Sequence, residues 1–229
     1  MSRTALRDRI LPSYTKGEEI FNMVSHIVGG ALGIAALALC VVFSFIKGDP
    51  YAVVSSFIYG FSIVILYTIS SVYHGITPKA DIAKKVMQII DHCVIFVLIA
   101  GTYTPIALAA MREINPVVGW VVFGFVWGAS ALGITLNAID IKKYKKFSMI
   151  CYLTIGWCAI FTLPTLIKAI TFNGFLFILL GGIAYSIGAL LYSVGHKKGL
   201  KYMHSVFHIF VVIGTVLQFF AILFYVVLR

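Results

Sequence analysis

Charged residues are scarce in this chain of 229 residues, and acidic residues are the scarcest. Charged side chains make up 11% of the sequence, against about 25% in an ordinary soluble domain, whereas hydrophobic side chains make up 61%. A soluble protein of this composition could not cover its own surface with polar groups. The shortage of charge therefore excludes a soluble globular enzyme and a disordered chain, and it indicates a bundle of membrane helices.

Cysteine is sparse as well. The four cysteines all lie inside apolar runs, and no two of them form a CxxC pair. This pattern excludes a small secreted scaffold held together by disulfides, which carries many closely spaced cysteines. The cysteines are Cys40, Cys93, Cys151 and Cys158, and we interpret them as small buried apolar side chains.

Long stretches without charge divide the rest of the chain. They cover residues 20–46, 51–78, 86–111, 114–139, 147–167, 169–192 and 202–228, and Asp91 is the one charged residue inside them. Each is long enough to cross a bilayer, which takes about 20 apolar residues. The strict alternation of membrane β-strands is missing. The sequence therefore predicts an all-α bundle of seven transmembrane helices in residues 20–229, after a cytoplasmic segment in residues 1–19.

Lysine and arginine are distributed unevenly between the two sides of such a bundle. The side that includes the N-terminus carries 14 of the 18, and the other side carries four. Because an excess of positive charge marks the cytoplasmic side, we predict a cytoplasmic N-terminus, an external C-terminus and a multi-pass protein of the inner membrane. The same charges suit anionic lipid headgroups, and no nucleic-acid binding is expected.

All six histidines fall on the predicted cytoplasmic side. Ionisable groups within membrane spans are costly, and they face the interior of the bundle or a functional site. Asp91, about one turn into the third span, needs a partner for the same reason. The histidines are His26, His74, His92, His196, His204 and His208. We do not expect His92 or His196 to bind a metal, because His92 points away from Asp91 and His196 lies in a lysine-rich turn.

The spacing of the other histidines is typical of a metal site. His204 and His208 are four residues apart, so their rings share one face of a helix. The short loop after His74 makes the second and third spans antiparallel neighbours, which brings Asp91 to the depth of His74. Three histidines with one open position form a catalytic zinc arrangement, and imidazole ligands favour zinc. We therefore predict a zinc site at His74, His204 and His208.

A second polar stripe lies in the first span. Glu19, Asn22 and His26 are spaced i, i+3 and i+7, and Ser25 stands beside them. Two interpretations stay open. The stripe caps the helix and bonds to neighbouring helices, or it supports the metal ligands and a proton route.

Together these motifs resemble the bacterial hemolysin III group of the progestin and adipoQ receptor family. The resemblance covers essentially the whole chain. It rests on four motifs in a fixed order, namely Glu19-x-x-Asn22-x-x-Ser25-His26, Ser70-x-x-x-His74, Asp91-His92 and His204-x-x-x-His208. The family belongs to a wider set of seven-helix membrane proteins that includes the alkaline ceramidases, and it implies the same topology as the charge distribution.

The resemblance also implies roles for individual residues. It implies a zinc ion held by His74, His204 and His208. In such proteins the aspartate that matches Asp91 contacts the zinc-bound water, and the serine that matches Ser70 lies close by. Adiponectin receptors and ceramidases are associated with the hydrolysis of lipid amides.

Three functions are compatible with these features. The first is a zinc-dependent hydrolase of a membrane lipid amide or ester, in which Asp91 orients or deprotonates water and Ser70 donates a hydrogen bond to the oxyanion. The second is a receptor-like sensor of membrane homeostasis with structural zinc. The third is an oligomeric pore-forming cytolysin, since a pore through one chain would need polar residues along whole helix faces. The oligomeric state stays open.

Overall fold

The structure, a computed structural model, describes residues 4–77 and 79–229, apart from the side chain of His196. The described part is built from helices, which confirms the all-α prediction. The long helices are α1 (Lys16–Lys47), α2 (Pro50–Gly75), α3 (Asp81–Pro105), α4 (Pro116–Trp157), α5 (Leu163–Lys198) and α6 (Met203–Ile222). Shorter segments extend or join them, namely Leu6–Asp8, Ile106–Met111, Arg112–Ile114, Cys158–Thr162 and Leu223–Val227.

Local sequence signals set several helix ends. Thr15 and Glu18 form a capping box at the start of α1, because each side chain bonds to the backbone N–H of the other. Gly48 ends α1 in the left-handed conformation, at φ 74°, which glycine adopts without a steric penalty. The side chain of Asp49 then accepts from the backbone of Tyr51 and starts α2. These contacts confirm the predicted boundary between the first two spans.

Five helical stretches in the described residues are long and apolar enough to cross a membrane. They are Lys16–Lys47, Pro50–Gly75, Asp81–Ile114, Pro116–Gly195 and Met203–Val227. The fourth contains 80 residues and holds three of the predicted spans. Its backbone departs from helical geometry at Asp140, with φ −162° and ψ 98°, and at Thr171, with φ 62° and ψ 169°. The number of seven spans stays a prediction.

The packing order brings four helix ends together. α1 packs on α2, α2 on α3, α3 on α4 and α5 on α6, while α6 returns to α1. The Tyr67 hydroxyl donates to Thr215 over 2.8 Å and ties α2 to α6 in the buried interior. As a result, the starts of α1, α3 and α6 meet the end of α2, and we call this region the histidine end of the bundle. Large apolar side chains such as Phe161, which is 86% exposed, cover the outside.

Candidate metal centre

Three imidazole rings converge at the histidine end. The Nε2 atom of His204 lies 3.3 Å from Nε2 of His74 and 3.1 Å from Nε2 of His208. Each ring offers one nitrogen, and the three nitrogens all lie within 4.8 Å of one another. The structure thus brings together the three histidines that the sequence analysis selected, from the last turn of α2 and the first two turns of α6.

In His74 and His208, the hydrogen bond made by Nδ1 determines that Nε2 is the ring nitrogen with an available lone pair. Nδ1 of His74 lies 2.6 Å from the Glu19 carboxylate, to which it donates. Nδ1 of His208 faces the backbone carbonyl of Asn22 at 3.4 Å. With the proton on Nδ1, a neutral ring presents a lone pair at Nε2. His74 and His208 therefore direct lone pairs toward the same small space, where a cation would relieve their repulsion.

The spacing of these nitrogens suits zinc. Zinc–nitrogen bonds of about 2.0–2.1 Å at tetrahedral angles place two ligand nitrogens about 3.3 Å apart. The two Nε2 separations at His204, 3.3 and 3.1 Å, are close to that value. The donor set fits a borderline-soft cation such as Zn²⁺ better than Mg²⁺ or Ca²⁺, which prefer oxygen ligands.

Glu19 is held from both sides. One of its carboxylate oxygens accepts from His74, and the other accepts from the Lys84 ammonium at 2.5 Å. Lys84 is only 2% exposed, and it also donates to the carbonyl of Ile76 at the end of α2. This chain of contacts aligns the ring of His74, in the way that a carboxylate orients a metal-binding histidine.

Asn22 and His26 of the α1 stripe lie against His208. The Ser205 hydroxyl donates to the side-chain oxygen of Asn22 over 2.6 Å, and the ring of His26 stacks on that of His208 at 3.6 Å. Ser25 donates to the carbonyl of Asn22 in its own helix. The stripe thus bonds to a neighbouring helix and also lies against two of the three converging histidines, and its support of a metal and of a proton route stays a prediction.

Asp91 and Ser70 lie next to the histidines without joining the converging set. Both are buried, and Ser70 lies beside the Asp91 carboxylate. They line a cavity together with His26, His204 and His208. The short loop between α2 and α3 therefore does bring Asp91 to the depth of the histidines.

His92 lies outside the converging set, as expected. Its Nδ1 bonds to the carbonyl of Gln88 in the same helix at 2.9 Å, and its side chain is 33% exposed. The prediction for His196 concerns a side chain that lies outside the described residues.

Comparison with known proteins now adds the family. A model described as haemolysin-III related matches residues 14–219. The chain belongs to this family. It is 36% identical over 210 residues to Hemolysin-3 of Bacillus cereus, an alignment that covers 91% of this chain and 92% of the relative. It is also 36% identical over 214 residues to the Hemolysin-3 homolog of Bacillus subtilis (strain 168), with coverage of 93% and 97%.

A more distant human relative has the name monocyte to macrophage differentiation factor. It is 24% identical over 210 residues, which is 88% of this chain and 79% of the relative. This likeness fits the placement of the hemolysin III group in the progestin and adipoQ receptor family. The apolar helices and the family together indicate a multi-pass membrane protein.

This haemolysin-III-related chain carries a cavity of about 250 Å³ that runs from the histidines into the interior of the bundle. Asp91, Ser70 and His204 lie at one end. Aliphatic and aromatic side chains from α3 to α6 form the rest of the wall, including Leu98, Ile178 and Phe175. The cavity therefore combines a polar end beside the converging nitrogens with an apolar body, a combination that is usual in small-molecule ligand sites.

Tyr14, which was not predicted, covers the histidines of this haemolysin-III-related protein. Its ring stacks on His204, with centroids 5.1 Å apart and planes 14° apart, and lies 5.9 Å from His74. Its hydroxyl lies near Tyr192 of α5. Burial raises the pKa of the Tyr14 phenol, and the nearby Tyr192 adds to the shift, so the hydroxyl stays protonated. Tyr14 precedes the first apolar run, so hydropathy and helical spacing gave no signal for it.

Proposed function

We propose that the chain crosses the bacterial inner membrane seven times, with the N-terminus in the cytoplasm and the C-terminus outside. A straight helix of 80 residues would be about 120 Å long, four times the hydrocarbon core, so the stretch Pro116–Gly195 has to turn back. Its breaks at Asp140 and Thr171 lie in or near the charged segments that separate the predicted spans. The 14-to-4 distribution of lysine and arginine supports the orientation.

Labelling of single cysteines in intact cells tests this topology. A membrane-impermeant maleimide is expected to label Lys168→Cys but not Lys143→Cys, and to label both after the membrane is opened. Both lysines are exposed at the two opposite turns, so the pair is matched in accessibility. Labelling of Lys143→Cys in intact cells would contradict the proposed orientation.

We further propose that His74, His204 and His208 hold a zinc ion and that the protein hydrolyses a lipid amide or ester. The observation that carries the proposal is the convergence of three ring nitrogens, two of them with lone pairs fixed by Glu19 and Asn22, at the polar end of an apolar cavity. A zinc ion held there would supply Lewis-acid polarisation of a carbonyl and an acidified water.

The side chains around the histidines have distinct roles in this proposal. The apolar body of the cavity holds the acyl chain and excludes water from it. Asp91 orients water and accepts its proton, as a general base within hydrogen-bonding reach can. Ser70 turns its hydroxyl from Asp91 toward the oxygen on which negative charge develops. The buried His26, stacked on His208, keeps that ring in place.

Metal analysis and turnover on a panel of lipid amides and esters test the proposal together. Stoichiometric zinc and hydrolysis by the wild type, with both lost in His208→Ala, are the expected results. Purified protein without bound metal would contradict the metal site, and zinc without turnover on any substrate of the panel would contradict the hydrolase.

A receptor-like sensor of membrane homeostasis with structural zinc is the second candidate. It is favoured by one observation, the stacking of Tyr14 over His204, which closes the histidine end above the metal ligands. In that case His74→Ala would lower the thermal stability of the protein, and no substrate would be turned over.

An oligomeric cytolysin is the third candidate, and it is suggested by the name Hemolysin-3 of the Bacillus relatives. Dye release from liposomes that is unchanged in His208→Ala would support that third function.

The contact between Glu19 and His74 makes a separate prediction about metal affinity. We expect Glu19→Gln to weaken zinc binding about 10- to 100-fold, because the carboxylate that orients His74 and raises its basicity is lost. Titration with a competing chelator measures the change. The neighbouring Glu18→Gln is the control, since Glu18 bonds to Thr15 and to the backbone of Tyr202 rather than to a histidine. Equal affinities in the two variants would show that Glu19 does not act on the metal ligands.

A further inference from the structure

Among the described residues, a single lysine lines the cavity. Lys145 lies in the charged segment that follows the break at Asp140, and it lines the same cavity as Asp91 and His92. Three other lysines share this segment, but none of them lines the cavity within the described part of the chain. They are Lys142, Lys143 and Lys146.

Tyr192 connects Lys145 to the converging histidines. The Lys145 ammonium lies 5.7 Å from the centroid of the Tyr192 ring, on its face, and that ring lies 5.2 Å from the ring of His204. None of the ion pairs among the described residues includes Lys145. The Lys145 side chain is exposed, and no carboxylate oxygen of the described residues lies within 4.0 Å of its ammonium.

We propose that the cavity binds a single-chain amphiphile with an anionic headgroup, and that the headgroup binds to Lys145. The claim that this amphiphile is also a substrate rests on the proposed hydrolase function, whereas the claim that it binds does not. The apolar wall takes the hydrocarbon chain, through side chains such as Ile95, Ile99 and Leu179. At about 250 Å³ the cavity is slightly smaller than ordinary ligand sites, which span about 300–1,000 Å³, and this size favours a ligand with a single hydrocarbon chain.

The charge of the headgroup follows from the charges along the wall. Asp91, the acidic residue of the described lining, lies on α3 rather than on the Lys145 segment, and it forms no ion pair with Lys145. An ammonium with no acidic partner binds carboxylates and phosphates through charge-assisted hydrogen bonds, which are stronger than bonds to neutral groups. A neutral headgroup, such as an alcohol or an ethanolamide, would leave this ammonium without a counterion.

Two kinds of amphiphile share this chemistry, and matched probes separate them. The carboxylate arm compares N-myristoylglycine with its methyl ester. The phosphate arm compares a myristoyl lysophosphatidic acid with the corresponding monoacylglycerol. Dissociation constants are measured by competition with a fluorescent fatty-acid probe on the full chain in nanodiscs made of neutral lipid, so that surface charge does not attract the anions.

We expect the wild type to prefer the anionic member of at least one pair by about fivefold, the size expected for one partly exposed ion pair. The preference should disappear in Lys145→Met, persist in Lys145→Arg and persist in the control Lys146→Met. Equal binding of both members of each pair by the wild type would overturn the proposal. So would an unchanged preference in Lys145→Met, or an equal loss in Lys146→Met, which would assign the effect to the charge of the whole segment.

Repeating the measurement in His204→Ala separates this proposal from the proposed hydrolase. A charge preference that persists there, together with an absence of turnover in the wild type, would retain the ligand site and reject the hydrolase. Hydrolysis by the wild type without any charge preference would retain the hydrolase and reject the ligand site at Lys145. The melting temperature of Lys145→Met, compared with that of Lys146→Met, shows whether a lost preference reflects loss of the fold.

Discussion

Replacing His204 with alanine is expected to remove zinc from the purified protein. His204 supplies the Nε2 that faces both other rings, at 3.3 Å from His74 and 3.1 Å from His208. Without it, only two imidazoles remain, which is fewer protein ligands than zinc sites ordinarily use. Elemental analysis should find about one zinc ion per wild-type chain and less than about a tenth of that in the variant.

Thermal unfolding provides a second readout of the same change. A ligand that binds only the folded state stabilises it by about 4 kcal/mol when present at 1,000 times its dissociation constant. Adding zinc to metal-stripped wild-type protein should therefore raise its melting temperature, and the same addition should leave His204→Ala unchanged.

His92→Ala is the matched control for this experiment. It removes an imidazole from the same end of the bundle, but one whose Nδ1 bonds to the Gln88 carbonyl of its own helix. Zinc content should stay at the wild-type level. If His204→Ala retained stoichiometric zinc, or if His92→Ala lost it, the assignment of the three ligands would be wrong.

The helix boundaries show how far local signals carry. The break between α1 and α2 was predictable, since Gly48 supplies the left-handed conformation and Asp49 the cap. The break at Thr171 was not predictable, because a β-branched residue at φ 62° contradicts its own conformational preference. Such a conformation depends on the packing around it, and a single sequence does not record packing.

Some residues of the candidate site were likewise predictable from the sequence and others were not. Spacing within α6 and the short α2–α3 loop were sufficient to select the three histidines and Asp91. The partners of those residues come from distant segments and carry no periodic signal. Lys84 is an example, because in the sequence it belongs to a charged loop, whereas in the structure it is buried against Glu19. Tyr14 covers His204 from outside the apolar runs in a similar manner.

The difference between the predictable and the unpredictable residues of the site has a physical origin. In hydrocarbon, an ionisable side chain is tolerated only beside a partner, so the position of Asp91 within a span predicts a polar neighbour. A residue in a loop has water as an alternative partner, so its position predicts nothing. The three histidines and Asp91 could thus be predicted from the sequence, whereas the residues that orient them are identified only from the structure.

Replacing Asp91 with asparagine should abolish hydrolysis while zinc remains bound. Asp91 lies outside the converging nitrogens, so the ligand set is intact in this variant. Asparagine keeps the size of the side chain and can still accept a hydrogen bond from Ser70, but it cannot take a proton from water. Loss of a general base lowers kcat by about 100- to 10,000-fold. Turnover of the best lipid of the panel, measured beside zinc content, checks the prediction.

Asp49→Asn is the control for the same chemical change. Asp49 caps α2 through its bond to Tyr51, at the end of the helix opposite to His74, and asparagine is an equally good cap. Its kcat should match that of the wild type. Full activity in Asp91→Asn would exclude Asp91 as the base, because no other change in that variant could restore the lost proton acceptor. Loss of zinc together with activity would instead assign Asp91 to holding the ligand set, since it lines the same cavity as His204 and His208.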